Sequence, residues 1–276
     1  MKINRLIAVA IVSCVTVFAQ ETTLLFPDKL NIQPFTANFL EPRIGFLFRT
    51  GQNDLRMDIG ASKDIVHYKL ESGATISIGA DMFTYTKLRG ENDFHFPVDA
   101  VDYLFGFNAG YSGKIAGYEA GVRVRLSHIS THMVDGHYSN TLGGWLDGRN
   151  PIVYSREFIE VFPYIKFSNT RLYAGLTYVY HTSPKGLHPG IYQIGFDSFL
   201  PEYKVWGFVP FVAAETKLVK LNTFMAYNTI MAGVKVGNIT GAGFSLYYQY
   251  YSGRNNHGQY YDLPEQFSAI GFHIDF

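Results

Sequence analysis

Apolar and polar residues alternate along most of this chain, and runs with the 3.6-residue period of a helix are nearly absent. The alternation is clearest in 266–276, where Ile270, Phe272, Ile274 and Phe276 share one face and the residues between them share the other. Repeated segments of about ten alternating residues are the signal of a transmembrane β-barrel. The pattern predicts an all-β protein.

Twelve segments of this kind predict an antiparallel transmembrane barrel, because closed single-chain barrels have an even number of strands. The predicted strands are 43–50, 55–70, 74–86, 101–113, 115–130, 156–168, 172–183, 190–200, 208–218, 223–237, 241–253 and 266–276. Tight turns, such as 113–114 and 169–171, alternate with long polar connections such as 131–155. The connections 201–207 and 219–222 break this alternation, so ten or fourteen strands stay open.

The N-terminus predicts export from the cytoplasm. A positively charged start, an apolar core over 6–12 and a small-residue cleavage site at 17–19 predict a signal peptide over 1–19. Cys14, the only cysteine, lies within it, so the mature chain would have no disulfide. The alternative is a lipoprotein whose mature N-terminus is a lipidated Cys14. We expect a proline-containing periplasmic lead-in over 20–42 and a single barrel domain over 43–276.

Composition fits a barrel and excludes one class of partner. The 276 residues include 23 Lys+Arg and 23 Asp+Glu, which gives zero formal net charge. Charged residues make up 17% and aromatic residues 16%, whereas soluble domains have roughly 25% charged residues. Because nucleic-acid phosphates require a basic face, this balance argues against a nucleic-acid partner.

Strand parity predicts the contents of the lumen. In the fifth strand the apolar positions would face lipid, so Glu119, Arg123 and Arg125 would point inward. In the sixth strand Glu160 and Lys166 share the inward face, together with Tyr164. Such side chains can fill a small barrel by pairing with one another. A narrow or plugged lumen is therefore expected. Tyr178, Tyr180, Tyr247, Tyr248, Tyr250 and Tyr251 are expected in aromatic girdles.

Residues 127–137 contain the densest concentration of His, Ser and Asp in the chain. His128 and Ser130 continue the lipid-facing series of the fifth strand, at its outer end. A polar pair that faces lipid indicates function. On the neighbouring strand Glu157 has the same parity and would stand beside His128. The three side chains are candidates for nucleophilic catalysis, with Ser130 as nucleophile, His128 as base and Glu157 as the acid that orients it.

The motif in this region resembles that of one protein family. The chain contains His128-Ile129-Ser130-Thr131-His132-Met133-Val134-Asp135 and, downstream, Tyr154-Ser155-Arg156-Glu157. These segments resemble a family of uncharacterised bacterial outer-membrane proteins with a His-x-Ser-Ser-His-Leu-Gly-Asp-Glu motif and a downstream Tyr-Ser-Arg-Asp-Glu. The resemblance extends over most of the mature chain and implies a barrel, but it implies no activity.

A weaker similarity is to outer-membrane phospholipase A and the lipid A deacylase barrel, which use a His-x-Ser pair on the exterior wall. His128 and Ser130 match that pair, and Glu157 matches its acidic third member. Thr131 stands where both families have Asn after the serine. The similarity implies a serine-type lipid esterase, with calcium as the cofactor if the protein acts as a phospholipase; no other cofactor is implied.

Metal binding is an alternative for the same region. His132, Asp135 and His137, together with His128, are suitable ligands for a borderline metal ion.

The sequence thus predicts a protein of the cell outer membrane with a narrow or plugged barrel and functional outer loops. Two finer functions stay open, a lipid acyl-ester hydrolase and a narrow pore for a solute or metal. The expected partners are outer-membrane lipid and, through the C-terminal strand ending at Phe276, the barrel-assembly machinery.

Overall fold

A computed structural model describes residues 20–185 and 187–276; of Gln20, Glu21 and Asp135 only the backbone is described. The predicted signal peptide, with Cys14, lies outside the described residues. Within the described part no helix is long and apolar enough to cross a membrane.

Fifteen strands form in the described residues, and twelve of them close into an antiparallel barrel. The barrel strands are β2 (Ile44–Arg49), β3 (Asp54–Leu70), β4 (Thr75–Arg89), β5 (Val98–Ile115), β6 (Tyr118–Met133), β9 (Tyr154–Phe167), β10 (Thr170–Ser183), β11 (Gly190–Phe199), β12 (Phe208–Lys220), β13 (Phe224–Gly237), β14 (Gly243–Arg254) and β15 (Pro264–Asp275). Pairing of β15 with β2 closes the ring. A short strand β1 (Gln20–Leu25) pairs with β3, and β7 (Tyr138–Ser139) with β8 (Gly144–Trp145) forms a small hairpin in the longest connection.

The twelve predicted strands are confirmed, and the alternatives of ten or fourteen strands are excluded. Two predicted turns were misplaced. The chain reverses at Ala116 and Gly117, where both residues have positive φ, and not at 113–114. The next tight turn is Ser168 and Asn169, because Phe167 already pairs with Thr170. Connection 201–207 contains a 3₁₀ turn and is long although it lies at the end of the barrel with the short turns.

The outer wall is apolar and the inner face is polar, as the alternation predicts. Leu126, Leu176 and Ile230 are among the many exposed apolar side chains, whereas the inward positions between them are buried. Tyr178, Tyr180 and Tyr248 face outward as predicted for a girdle. The girdle prediction was wrong for Tyr247 and Tyr251, which are buried in the lumen because they have the opposite parity to Tyr248.

The N-terminal segment 27–43 fills the lumen, although the sequence predicts a periplasmic lead-in over 20–42. Phe35, Asn38 and Glu41 of this segment are fully buried. Its backbone carbonyls accept hydrogen bonds from inward side chains of several strands: Arg56 donates to Phe39, Arg125 to Leu40, and Arg171 to Gln33 and Pro34. Because these donors come from opposite parts of the wall, the segment plugs the barrel.

A buried ion network at the centre of the barrel holds this plug. Arg123 donates two hydrogen bonds to the carboxylate of Glu41, and Arg125 lies 3.3 Å from the same carboxylate. Arg125 also lies 3.0 Å from Asp81 and 3.3 Å from Glu160. The predicted pairing of inward charges is thus present, and the plug supplies one carboxylate that strand parity did not reveal.

Candidate functional site

The exterior wall carries a polar patch on β6, β9 and β10, near the end of the barrel with the long connections. His128 on β6 and Glu157 on β9 are cross-strand neighbours, and 2.6 Å separates His128 Nδ1 from Glu157 Oε1. The side chains are 27% and 25% exposed, so both reach the surface of the wall. Because a carboxylate only accepts, Nδ1 carries the proton and Nε2 is left as the basic nitrogen.

Two further side chains contact the same carboxylate. Ser155 Oγ donates to Glu157 Oε1 at 3.2 Å, and His181 Nδ1 on β10 donates to Glu157 Oε2. Glu157 is therefore fixed from both neighbouring strands, and its orientation does not depend on His128 alone. Such charge-assisted hydrogen bonds are roughly twice as strong as neutral ones.

His181 is the residue that sequence reasoning missed. Along β10 the inward positions include Arg171, Tyr173 and Val179, so simple alternation puts His181 in the lumen. A β-bulge between Val179 and His181 adds one residue, Tyr180, and returns His181 to the outer face. Bulges re-aim side chains in this way, often next to active sites. Nothing in the local sequence marks this one.

Ser130 lies on the same outer face, two residues beyond His128 on β6. It is directly opposite Ser155 in the register of β6 with β9. Within the part of the chain that the structure describes, the hydrogen bonds of the patch join His128, Ser155 and His181 to Glu157, and none joins Ser130 to His128. The structure thus brings two of the three predicted residues into contact and places the third beside them.

Aromatic and apolar side chains surround the patch. Phe105 on β5 pairs with His128, and the centroids of their rings are 4.9 Å apart. Tyr103 pairs with Ser130, and Leu126 precedes the patch on β6; all three flanking side chains are exposed on the outer wall. At about 3.3 Å per residue and a tilt of about 40°, the strand from the turn at Tyr118 to His128 spans about 25 Å, the height of the apolar band of such barrels.

Two of the three metal candidates, His132 and His137, have different environments. His132 faces outward against Tyr103, with ring centroids 5.7 Å apart. His137 is buried, and its ring nitrogens lie 2.8 Å from Asp99 and 3.2 Å from Asp147. No group of three or more His, Cys, Asp or Glu among the described residues could hold a metal ion. Because His132 and His137 have separate partners, they give the predicted metal site no support. The side chain of Asp135 is outside the described part.

Calcium does not fit the exterior patch either. Calcium takes six to eight oxygen ligands from carboxylates, carbonyl groups and water, and carboxylates supply its charge balance. The patch offers one carboxylate, Glu157, and both of its oxygens already accept hydrogen bonds. Calcium therefore has no assigned role in the chemistry of the exterior patch.

The closed barrel, apolar outer wall and polar plugged lumen define an outer-membrane-type β-barrel. One solved structure agrees at the level of the fold. Outer membrane phospholipase A from Escherichia coli has a TM-score of 0.54 and 14% identity, over 88% of this chain and 93% of that one. The β domain of the Bordetella autotransporter BrkA has a TM-score of 0.44 and 14% identity, over 84% and 97% of the two chains.

The family model that matches residues 76–276 is DUF1207, a protein family of unknown function. The chain belongs to this family, which confirms the predicted membership in an uncharacterised barrel family. No curated protein matches the chain.

Proposed function

We propose that this protein resides in the outer membrane and that its exterior patch is a serine acyl-ester hydrolase acting on lipid of the outer leaflet. The observation that carries the proposal is the 2.6 Å contact of His128 Nδ1 with Glu157 Oε1, on the lipid-facing wall and beside Ser130. A polar cluster that faces lipid costs free energy, so its presence indicates a function.

The residues of the patch can perform the chemistry in two steps. Ser130 Oγ transfers its proton to His128 Nε2 and attacks the ester carbonyl carbon, which gives a tetrahedral oxyanion. The oxyanion collapses and breaks the ester bond; the leaving alcohol takes the proton from His128, and the acyl group stays on Ser130. Water then repeats the sequence, with His128 again as the base, and releases the fatty acid.

Glu157 has the supporting role in this scheme. Its carboxylate keeps the proton on Nδ1, so the basic Nε2 is available to the nucleophile, and it stabilises the imidazolium that forms during each attack. Ser130 Oγ must rotate toward His128 for the first proton transfer. Hydroxyl rotamers interconvert within nanoseconds, and catalytic hydrogen bonds often tighten only when substrate binds.

The position of the patch favours a lipid substrate over a soluble ester. With the long connections on the cell surface, as barrels of this type have them, the patch lies where the apolar band meets the outer headgroups. The exposed rings of Phe105 and Tyr103 suit this boundary. A lipid ester would reach Ser130 by lateral diffusion, and no passage through the plugged lumen is needed.

Fatty-acid release from phospholipid and from lipid A in mixed detergent micelles tests the proposal. The wild type should release fatty acid, and Ser130→Ala should abolish the release. Ser155→Ala is the matched control, because Ser155 is the serine directly opposite in the same patch and contacts only the supporting carboxylate; it should retain most of the activity.

An alkyl sulfonyl fluoride provides an independent readout. It should label the wild type at Ser130 and leave Ser130→Ala unlabelled. Equal rates for the wild type and Ser130→Ala, or neither hydrolysis nor labelling of the wild type with and without added calcium, would make the patch structural and favour a non-enzymatic plugged barrel.

A further inference from the structure

A second site lies inside the barrel, between the plug and the strands at the end with the long connections. A cavity of about 70 Å³, partly open to solvent, is lined there by the plug residues Phe39 and Leu40, the inner face of β9 to β12, and the connection after β14. At about 10–15 Å³ for each water-sized site, it has room for about five water molecules. This volume suits a small molecule and is too small for an entire phospholipid.

Polar atoms without partners line this cavity. Gln193 is 3% exposed, yet neither atom of its side-chain amide has a hydrogen-bond partner. Arg156 Nε and Asn256 Oδ1 are also buried and unpartnered. Buried polar groups in native proteins nearly always have partners, and a buried group without a partner is destabilising. Three such groups around one cavity indicate a ligand that supplies the missing hydrogen bonds.

The charged side chains that line the cavity favour an anionic ligand. Lys217 already contacts Glu215 at 3.3 Å and Asn38 at 2.9 Å. Glu160 is likewise paired, with Arg125 at 3.3 Å. Arg156 makes no ion pair within 20–185 and 187–276; its guanidinium lies over the ring of Tyr154, 4.8 Å from the centroid. A planar guanidinium without an acidic partner matches a carboxylate in two parallel hydrogen bonds.

The other side chains that line the cavity favour a ligand with an apolar body. Besides the plug residues, Phe158, Val179, Ile191 and Val219 present apolar side chains to the cavity. Convergent polar groups at one side of an apolar pocket are the usual arrangement of a small-molecule site. We propose that this cavity binds a small monocarboxylate with an apolar body, with the carboxylate on Arg156 and a hydrogen bond from Gln193.

This site is separate from the exterior patch. Arg156 and Glu157 are adjacent in β9, so alternation sends their side chains to opposite faces of the wall. The proposal of a lumenal carboxylate site therefore does not depend on the hydrolase proposal, and either can fail without the other.

Calorimetric titration of the full chain in detergent micelles, with empty micelles as blank, tests the site. Butyrate and benzoate are the probes, and butanol and benzyl alcohol are their uncharged counterparts. We expect saturable binding of at least one acid and weaker binding of its alcohol. Arg156→Gln should lower the affinity about tenfold or more, the effect of losing a charge-assisted hydrogen bond. Arg149→Gln is the matched control, because Arg149 lies at the same end but pairs with Asp262 outside the cavity lining.

Gln193→Leu is a second variant that keeps the test informative if Arg156→Gln does not fold. It removes an unpartnered buried amide, so it should leave the barrel as stable as the wild type while it weakens acid binding at least about threefold. The proposal is overturned if neither acid binds the wild type, if the alcohols bind as tightly as the acids, or if both cavity variants bind with unchanged affinity.

Discussion

His128 and Glu157 face each other on the outside of the barrel, 2.6 Å apart although they are 29 positions apart in the chain. The other carboxylate oxygen of Glu157 accepts from His181 on the next strand. One carboxylate thus connects three adjacent strands on a surface whose other side chains are largely apolar. Only His128 lies on the strand of the candidate nucleophile Ser130, so the two histidines have different expected roles.

Glu157→Gln should lower ester hydrolysis by about a hundredfold to ten-thousandfold, because an amide does not fix the tautomer of His128 or stabilise its imidazolium. His181→Asn should keep nearly all of the activity. Initial rates on detergent-dispersed phospholipid, with heat-modifiable gel migration as the check of folding, measure both effects. Equal losses in the two variants would mean that Glu157 acts by holding the patch together rather than by positioning His128.

Glu41→Gln should destabilise the barrel by about 3–5 kcal/mol, because it leaves the buried Arg123 without its carboxylate partner and removes one of the three carboxylates around Arg125. Glu41 is fully buried and pairs with both Arg123 and Arg125. Urea unfolding in detergent, followed by tryptophan fluorescence, measures the free energy of unfolding. Glu202→Gln, at an exposed position in a connection, is the control and should be neutral. A neutral Glu41→Gln would show that the plug is not held by this network.

Purified protein should give no large, stable conductance in planar bilayers, because segment 27–43 fills the lumen and is hydrogen-bonded to several strands. A general porin recorded in the same bilayers provides the reference conductance. Reproducible openings of porin size in the wild type would contradict a plugged barrel. They would favour the alternative function from the sequence, a pore for a solute or metal.

Replacing Phe276 with Asp should prevent assembly into the outer membrane. The residue is exposed directly after β15 and continues its outward apolar face. We propose that the assembly machinery recognises this end, so the variant should remain in the periplasm and lose heat-modifiable migration. Phe94→Asp, at an even more exposed phenylalanine in a connection, should assemble normally. Normal recovery of the Phe276 variant in the membrane fraction would count against this role.

Alternation along the chain predicted the twelve strands, because it is a local property that a lipid-facing wall requires along every strand, and only the irregular connections 201–207 and 219–222 left the count open. It also determined which face carries His128 and Glu157, since parity needs only the strand boundaries. Where the end of a strand was predicted wrongly, the turn after it was misplaced too, as at Ala116 and Gly117. Tyr247 and Tyr251 lie in the lumen because they alternate with the outward Tyr248, and tyrosine is found on either face of a strand.

What fills the lumen and what completes the exterior patch depend on contacts between residues far apart in the chain. Glu41 meets Arg123 across 82 positions of the chain, and Asn38 meets Lys217 across 179. No local pattern specifies such pairings, because they depend on how the closed wall places distant strands around one segment. His181 joined Glu157 through a β-bulge that reverses the parity of its strand. A single extra residue in a ladder leaves no mark in the alternation, yet it decides which side of the membrane wall a histidine faces.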